Sequence, residues 1–149
     1  MNRLRGNIPA TIDVKGRLKM PTAFKRHLEE QFGRDVFVTS LTGSSVLVYP
    51  LPVWTEIETK ISTLAQSHPS VQKYRRNTSY FGQECSMDPQ GRVLIPTVLR
   101  DFHGDLSGEV CVLGNYDHLV IWRRDQIERS ITEEPFTDED FKSLAELGL

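Results

Sequence analysis

The sequence predicts an α+β fold, mainly β, built from two repeats with flanking helices. The first observation is a duplicated stretch: DVKGRLKMPT at residues 13–22 is followed 75 positions later by DPQGRVLIPT at residues 88–97. The second is that strand-like alternation and hairpin turns accompany both copies, while helical spacing marks the segments between and after them. A chain of 149 residues, 38% hydrophobic and 26% charged, suits one domain or two small halves sharing a core.

Each copy is predicted to form strand, turn, strand, short helix, strand, turn and strand. The first turn has the pattern Asp-x-x-Gly, in which the Asp side chain can bond the backbone two residues on. Its Gly tolerates the positive φ of a three-residue hairpin loop. The structural residues of these turns are Asp13, Gly16, Asp88 and Gly91. The following GRLKMP alternates, which places Arg17 and Lys19 on one face of a half-buried strand.

Pro-Thr after each second strand suits the start of a helix. The apolar residues expected to bury these helices are Phe24, Leu28 and Phe32 in copy one and Val98, Leu99 and Phe102 in copy two. Two more hairpins are predicted, one around Thr-Gly-Ser at 42–44 and one around Gly-Asn-Tyr-Asp at 114–117.

The segments outside the copies are predicted to be helical. Two amphipathic helices between the copies are expected to clamp the halves together or to face a neighbouring subunit. Their apolar residues are Trp54, Ile57, Ile61 and Leu64, then Val71, Tyr74, Thr78 and Phe81. A helix from about 125 to 131 is followed by one that Thr137 can cap, with a stripe of Phe141, Leu144 and Ala145 suited to docking.

The predicted organisation therefore has four parts. They are a first repeat domain at 5–51, a helical connector at 52–82, a second repeat domain at 83–124, and C-terminal helices with an acidic tail at 125–149.

Composition excludes several classes of protein. No run of 18 apolar residues exists and the first ten residues lack an apolar stretch, so we expect a soluble, cytoplasmic protein with no membrane partner. Cys85 and Cys111 form no CxxC pair, which favours small core or strand residues.

No catalytic constellation is present in the sequence. The four histidines, at 27, 68, 103 and 118, lack metal-ligand spacing, and no phosphate-binding glycine loop or nucleophile motif occurs. We therefore expect no enzyme, cofactor, metal or small-molecule substrate.

The formal net charge of -2 conceals a strong segregation of charge along the chain. Residues 1–34 have eight basic and three acidic side chains, a charge of +5, whereas residues 125–149 have two basic and eight acidic ones, a charge of -6. Because a polyanion responds to the local field, the basic N-terminal segment is compatible with nucleic acid.

The arginine after each turn glycine is the main candidate contact to DNA. Arg17 and Arg92 are exposed by strand alternation, folding does not require them, and a guanidinium matches phosphate or the guanine edge. Asp13 and Asp88, four residues earlier, are expected to fix these side chains across the turn. The basic residues expected to assist are Lys15, Lys19, Arg5 and Arg3. Gln90 and Leu94 replace the two lysines in copy two, so copy one is expected to make more phosphate contacts.

Two other features have competing interpretations. The segment KYRRN at 73–77 is either a second DNA contact or, the favoured reading, a solvated helix face. Trp54 and Trp122 invite base stacking, yet each follows an apolar strand at a core-facing position, which favours packing.

The two copies of DxxGRxxxPT, the intervening YPLPVWTEIETKI and the join GQECSMDPQGR resemble the MraZ family of bacterial transcription regulators, which has two SpoVT-AbrB type domains. The resemblance covers most of residues 5–131. It implies a pseudo-symmetric swapped-hairpin (AbrB-like) β-barrel and a ring-like homo-oligomer. It also implies a nucleoid-associated repressor that binds direct repeats in double-stranded promoter DNA of its own gene and the division and cell-wall gene cluster. The family's Asp-x-x-x-Arg pattern falls on Asp13 with Arg17 and on Asp88 with Arg92.

A protein-interaction module is the alternative. An AbrB-like antitoxin would pair one DNA-binding barrel with a tail that captures a protein, and the acidic segment EEPFTDEDFKSLAELGL is compatible with that role. An antitoxin is expected to have one copy of the DxxGRxxxPT stretch and a longer disordered tail, so the duplication favours the MraZ-like interpretation.

Overall fold

The computed structural model describes residues 3–102 and 106–149, and within these ranges it has eight strands and six helices. The strands are β1 (Leu4–Ile12), β2 (Arg17–Lys19), β3 (Asp35–Thr39), β4 (Val46–Pro50), β5 (Gln83–Ser86), β6 (Arg92–Leu94), β7 (Gly108–Tyr116) and β8 (His118–Arg123). The helices are α1 (Thr22–Gln31), α2 (Leu51–Ser62), α3 (Pro69–Tyr80), α4 (Thr97–Phe102), α5 (Arg124–Glu133) and α6 (Asp138–Leu147). The predicted α+β, mainly β class is confirmed.

The antiparallel strands form a nearly closed barrel in the order β5-β3-β4-β8-β7-β1-β2-β6. The first strand of each copy pairs with the third strand of the other copy: β1 with β7 over nine residue pairs, and β5 with β3 over four. The second strands pair with each other, as do the fourth strands. The two copies are therefore interleaved with pseudo-two-fold symmetry, which is the swapped-hairpin barrel that the resemblance implied.

Apolar residues from both copies fill one core. Leu18 of β2 and Val93 of β6 lie opposite each other and are fully buried. Burial of each such side chain contributes about 1.5–3 kcal/mol, so neither copy completes this core without the other.

The two repeat helices pack differently. In α1, Phe24 and Leu28 are buried as predicted, and Phe32 lies just past the helix end, half-buried. The expectation for α4 holds only for Leu99. Val98 and Phe102 are exposed, because a helix of six residues turns only one of its apolar positions toward the barrel.

Helix α2 covers the hairpin of copy one. The indole of buried Trp54 stacks on Phe37 of β3, with ring centroids 4.7 Å apart, and it also contacts Tyr49 of β4. The packing interpretation of Trp54 is thus confirmed. Trp122 is only half-buried, because Leu119 and Ile121 take the inward positions of β8 and strand alternation turns Trp122 away.

The ends of the predicted connector helices differ slightly from the observed ones. Leu64 lies beyond the end of α2 and is exposed, whereas Phe81 caps α3 and is buried. The predicted β7–β8 hairpin is present, with Asn115 paired to His118 across its tight turn.

Both cysteines lie in strands as predicted. Cys85 is half-buried in β5 and Cys111 is buried in β7. Burial raises the pKa of the Cys85 thiol, which keeps it protonated and weakly reactive. No helix in the described part of the chain is long and apolar enough to cross a membrane.

Candidate nucleic-acid interface

The duplicated turns have the predicted geometry. The Asp13 carboxylate accepts hydrogen bonds from the backbone N–H of Lys15 at 2.9 Å and of Arg17 at 3.0 Å. Gly16 closes the turn with φ +84°, a conformation that only glycine adopts without strain. In copy two, Asp88 accepts from residues 90 and 92, both at 2.9 Å, and residue 91 has φ +80°.

Each turn also fixes one guanidinium. Nε of Arg17 donates to Oδ2 of Asp13 at 2.9 Å, and Nε of Arg92 donates to Oδ2 of Asp88 at 2.6 Å. Both arginine side chains keep about a third of their surface exposed, 35% and 33%. Neither guanidinium has a second hydrogen-bond partner among residues 3–102 and 106–149, so the terminal nitrogens are open to a ligand.

The same contacts keep the two carboxylates ionised. The pKa of Asp13 is lowered chiefly by the backbone N–H of Arg17, and further by the Arg17 side chain and the N–H of Lys15. The pKa of Asp88 is lowered by the equivalent contacts from residues 92 and 90. Each Asp therefore remains a charged acceptor that holds its Arg in place at neutral pH.

Pairing of β2 with β6 brings the two arginines onto one surface. In this register Lys19 lies opposite Arg92, and Arg17 lies opposite Leu94. Because the intervening residues of both strands are buried, these side chains share the outer face. We call the residues Arg17, Lys19 and Arg92, with Lys15 at the adjoining turn, the basic ribbon. Like charges directly opposite each other disfavour a sheet, so folding alone does not explain this cluster.

A helix from each copy braces the turn of the other copy. Backbone N–H groups of Met20 and Ile95 donate to the carbonyls of Gly91 and Gly16, each at 2.8 Å. Arg100 of α4 packs directly over Gly16, and Lys25 of α1 packs over Gly91 in the same way. Sequence analysis missed this bracing role, because local patterns do not show which side chain of one copy contacts the turn of the other.

Arg3 and Arg5 lie away from the basic ribbon. Arg5 pairs with Asn115 of β7, and the Arg3 guanidinium lies 3.9 Å from the centroid of the Tyr116 ring. Both residues are at or just before the start of β1, opposite the Asp13 turn, and at 3.4 Å per residue Arg5 is roughly 27 Å and Arg3 roughly 34 Å from Asp13 along the strand. The structure therefore does not bring these two predicted contacts together with the others.

The remaining predicted features take no part in this surface. Arg75 and Arg76 are exposed on α3, where they donate to Gln66 and to Asn77 respectively. Among the histidines, His103 lies outside the described residues. Over the described ranges, 3–102 and 106–149, no group of three or more His, Cys, Asp or Glu side chains could hold a metal ion.

The family model and the relatives that match this chain all carry the name MraZ. Residues 82–145 match the family model described as "MraZ protein, putative antitoxin-like". The chain is 42% identical over 146 residues to the Transcriptional regulator MraZ of Koribacter versatilis, covering 97% of this chain and 99% of that protein. It is 39% identical over 145 residues to that of Acidobacterium capsulatum, with the same two shares of coverage.

A more distant relative, the Transcriptional regulator MraZ of Serratia proteamaculans, is 35% identical over 151 residues, again with 97% and 99% coverage. Transcriptional regulators are not enzymes, which agrees with the prediction from the sequence that this chain is not an enzyme. The interleaved barrel, the paired Asp-x-x-x-Arg turns and these near-full-length identities lead to one assignment: the chain belongs to the MraZ family of transcriptional regulators.

Proposed function

We propose that this chain is a sequence-specific DNA-binding regulator of transcription that contacts double-stranded promoter DNA through the basic ribbon. The observation that supports it most strongly is the pre-set geometry of Arg17 and Arg92. An Asp holds each guanidinium through Nε, and both terminal nitrogens are left for a ligand. Two parallel donors fit O6 and N7 of guanine or two phosphate oxygens, and a fixed rotamer lowers the entropy lost on binding.

The two copies contribute unequally to this contact. Residues 13–19 contain three basic side chains and one acidic one, whereas residues 88–94 contain one of each. Lys15 and Lys19 supply attraction to phosphates that copy two lacks, and each neutralised phosphate steepens the salt dependence by about 0.9 in log-log slope. Copy one therefore provides most of the affinity, and Arg17 with Arg92 provides the sequence preference.

The shape of the basic ribbon suits the major groove. That groove admits a two-stranded β-ribbon, and β2 with β6 forms such a ribbon on the outside of the barrel. One ribbon of this size makes few contacts, so several copies of the chain are needed to bind repeated DNA elements by avidity.

The biological role that we propose rests on the resemblance to the MraZ family and is compatible with the basic ribbon. The chain acts as a cytoplasmic, nucleoid-associated repressor, assembled as a ring-like homo-oligomer on direct repeats. Its targets are its own promoter and the division and cell-wall gene cluster.

The test compares wild type, Arg17→Ala and Arg92→Ala on a duplex from the region upstream of the gene and on a scrambled duplex. Affinities are measured over a salt series, and sedimentation checks that assembly is unchanged. We expect both variants to lose at least about fivefold of their preference for the upstream duplex, since a base contact is worth about 1–3 kcal/mol. Unchanged preference in both variants would contradict the proposal.

A further inference from the structure

Helix α6 is well formed, but no buried residue holds it against the rest of the chain. Thr137 and Asp140 form a complete capping box at its start, yet none of its ten residues is buried. Phe141 is 66% exposed, and its ring packs edge to face against Phe136, which is itself exposed. A helix of this length is marginal in water, and its stripe of Phe141, Leu144 and Ala145 is what a docking helix presents.

An exposed apolar groove lies elsewhere on the same chain, between α3, α4 and the β3–β4 loop. Its lining includes Leu41, Tyr80, Phe81 and Phe102, and Arg76 stands at its edge. Leu41, Tyr80 and Phe102 are exposed. The ring of Phe102 contacts that of Phe81 edge to face. We call this surface the α3 groove. An exposed apolar groove is a surface on which the apolar face of a helix can dock.

The charges of the helix and the groove are complementary. Helix α3 has three basic residues and no acidic one, whereas residues 125–149 have a formal charge of -6. Asp138 lies three positions before Phe141, on the same helical face, so an acid accompanies the apolar anchor. A second groove, between α2 and α3, is a poorer match because Glu58 forms part of its lining.

We propose that α6 of one copy docks in the α3 groove of a second copy, with Phe141 against Leu41 and Tyr80 and with Asp138 beside Arg76. The chain holds both surfaces, but no residue of α6 is buried in the single chain, so the proposed occupant of the groove is α6 of another copy. Such a head-to-tail contact joins two different surfaces, so it builds a ring if the rotation closes and a filament otherwise. This inference rests on the proposed homo-oligomer and names its contact.

Full-length variants at exposed positions test it without threatening the barrel. Phe141→Asp removes the anchor, and Ile131→Asp on α5 is its matched control, because both side chains are 66% exposed. Arg76→Glu reverses the groove charge, and Lys60→Glu, at an exposed position of α2, is the control for charge reversal. By sedimentation, we expect Phe141→Asp and Arg76→Glu each to raise the protein concentration at which the oligomer half dissociates by at least about tenfold. The two control variants should leave this concentration unchanged.

Mixing the two defective variants shows whether the contact joins separate chains. Phe141→Asp retains an intact groove and Arg76→Glu retains an intact helix, so an equimolar mixture should form a one-to-one heterodimer that neither variant forms alone. The charge swap Asp138→Arg with Arg76→Glu should restore assembly in one chain.

Two results would overturn this inference. The first is that Phe141→Asp and Arg76→Glu both assemble like wild type. The second is that the equimolar mixture of these two variants stays monomeric. Either result would mean that α6 docks on its own barrel or on a different protein. Neither result bears on the sequence preference of the basic ribbon, which is measured with Arg17 and Arg92 variants that leave α6 and the α3 groove untouched.

Discussion

Replacement of Gly16 by Ala tests whether the second copy braces the turn of the first. A Cβ at this position would lie 2.3 Å from Nε and 2.4 Å from Cζ of Arg100, so the Arg100 side chain must move. Moving it breaks two hydrogen bonds, from Nε to the carbonyl of Ile95 at 3.1 Å and from Nη2 to Oγ1 of Thr97 at 3.2 Å.

The expected cost has two parts. The left-handed backbone at residue 16 costs Ala about 1–2 kcal/mol. The two lost hydrogen bonds cost about 0.5–1.5 kcal/mol each, so Gly16→Ala should lower the free energy of unfolding by about 2–5 kcal/mol. Gly33→Ala is the control, because Gly33 has φ +95° but open space around its Cβ, and only the strain of about 1–2 kcal/mol applies.

Urea unfolding, followed by tryptophan fluorescence, measures both free energies. A double-mutant cycle then isolates the bracing contact, because in an Arg100→Ala background the Gly16→Ala change should cost no more than the strain. Equal losses for Gly16→Ala and Gly33→Ala in the wild-type background would refute the bracing role of Arg100.

Three further predictions concern the basic ribbon and the core. Arg17→Lys should keep the salt slope of DNA binding, because the charge is retained, but lose at least about fivefold of sequence preference in competition binding with a scrambled duplex. Because folding lowers the pKa values of Asp13 and Asp88, the two carboxylates stabilise the fold above their unfolded value near 3.8, and this stabilisation is lost as pH falls through the lower folded values. Asp→Asn at both positions should therefore make the free energy of unfolding depend less on pH below about pH 4. An unchanged dependence on pH in this range would contradict the prediction. Trp54→Ala should cost about 3–5 kcal/mol in urea unfolding and half-buried Trp122→Ala clearly less, so equal costs would count against the assigned burial.

The local chemistry of the repeats was predictable from the sequence. The Asp-x-x-Gly pattern predicted the observed turns. Alternation around Leu18 in β2 and Val93 in β6 gave the correct inner and outer faces of these strands. The interleaving of the copies came from the family resemblance, because single-chain periodicity does not say which strand pairs with which.

Other features depended on tertiary structure that no local pattern encodes. The opposition of Lys19 and Arg92 exists only once β2 pairs with β6, and Arg100 reaches Gly16 only across the two copies. Trp122 was assigned to the core because it ends an apolar run, yet the register of β8 turns it outward. Helix α4 was too short for a helical period to be read reliably.

Site-specific photo-crosslinking tests most directly which end of the barrel meets DNA. Val14, 92% exposed at the tip of the copy-one turn, and Tyr116, exposed beside Arg3 at the opposite end, would each be replaced by p-benzoylphenylalanine in the full chain. We predict that irradiation with the upstream duplex crosslinks DNA through position 14 and not through position 116. Crosslinking through position 116 alone would contradict the assignment of the basic ribbon as the DNA-binding surface.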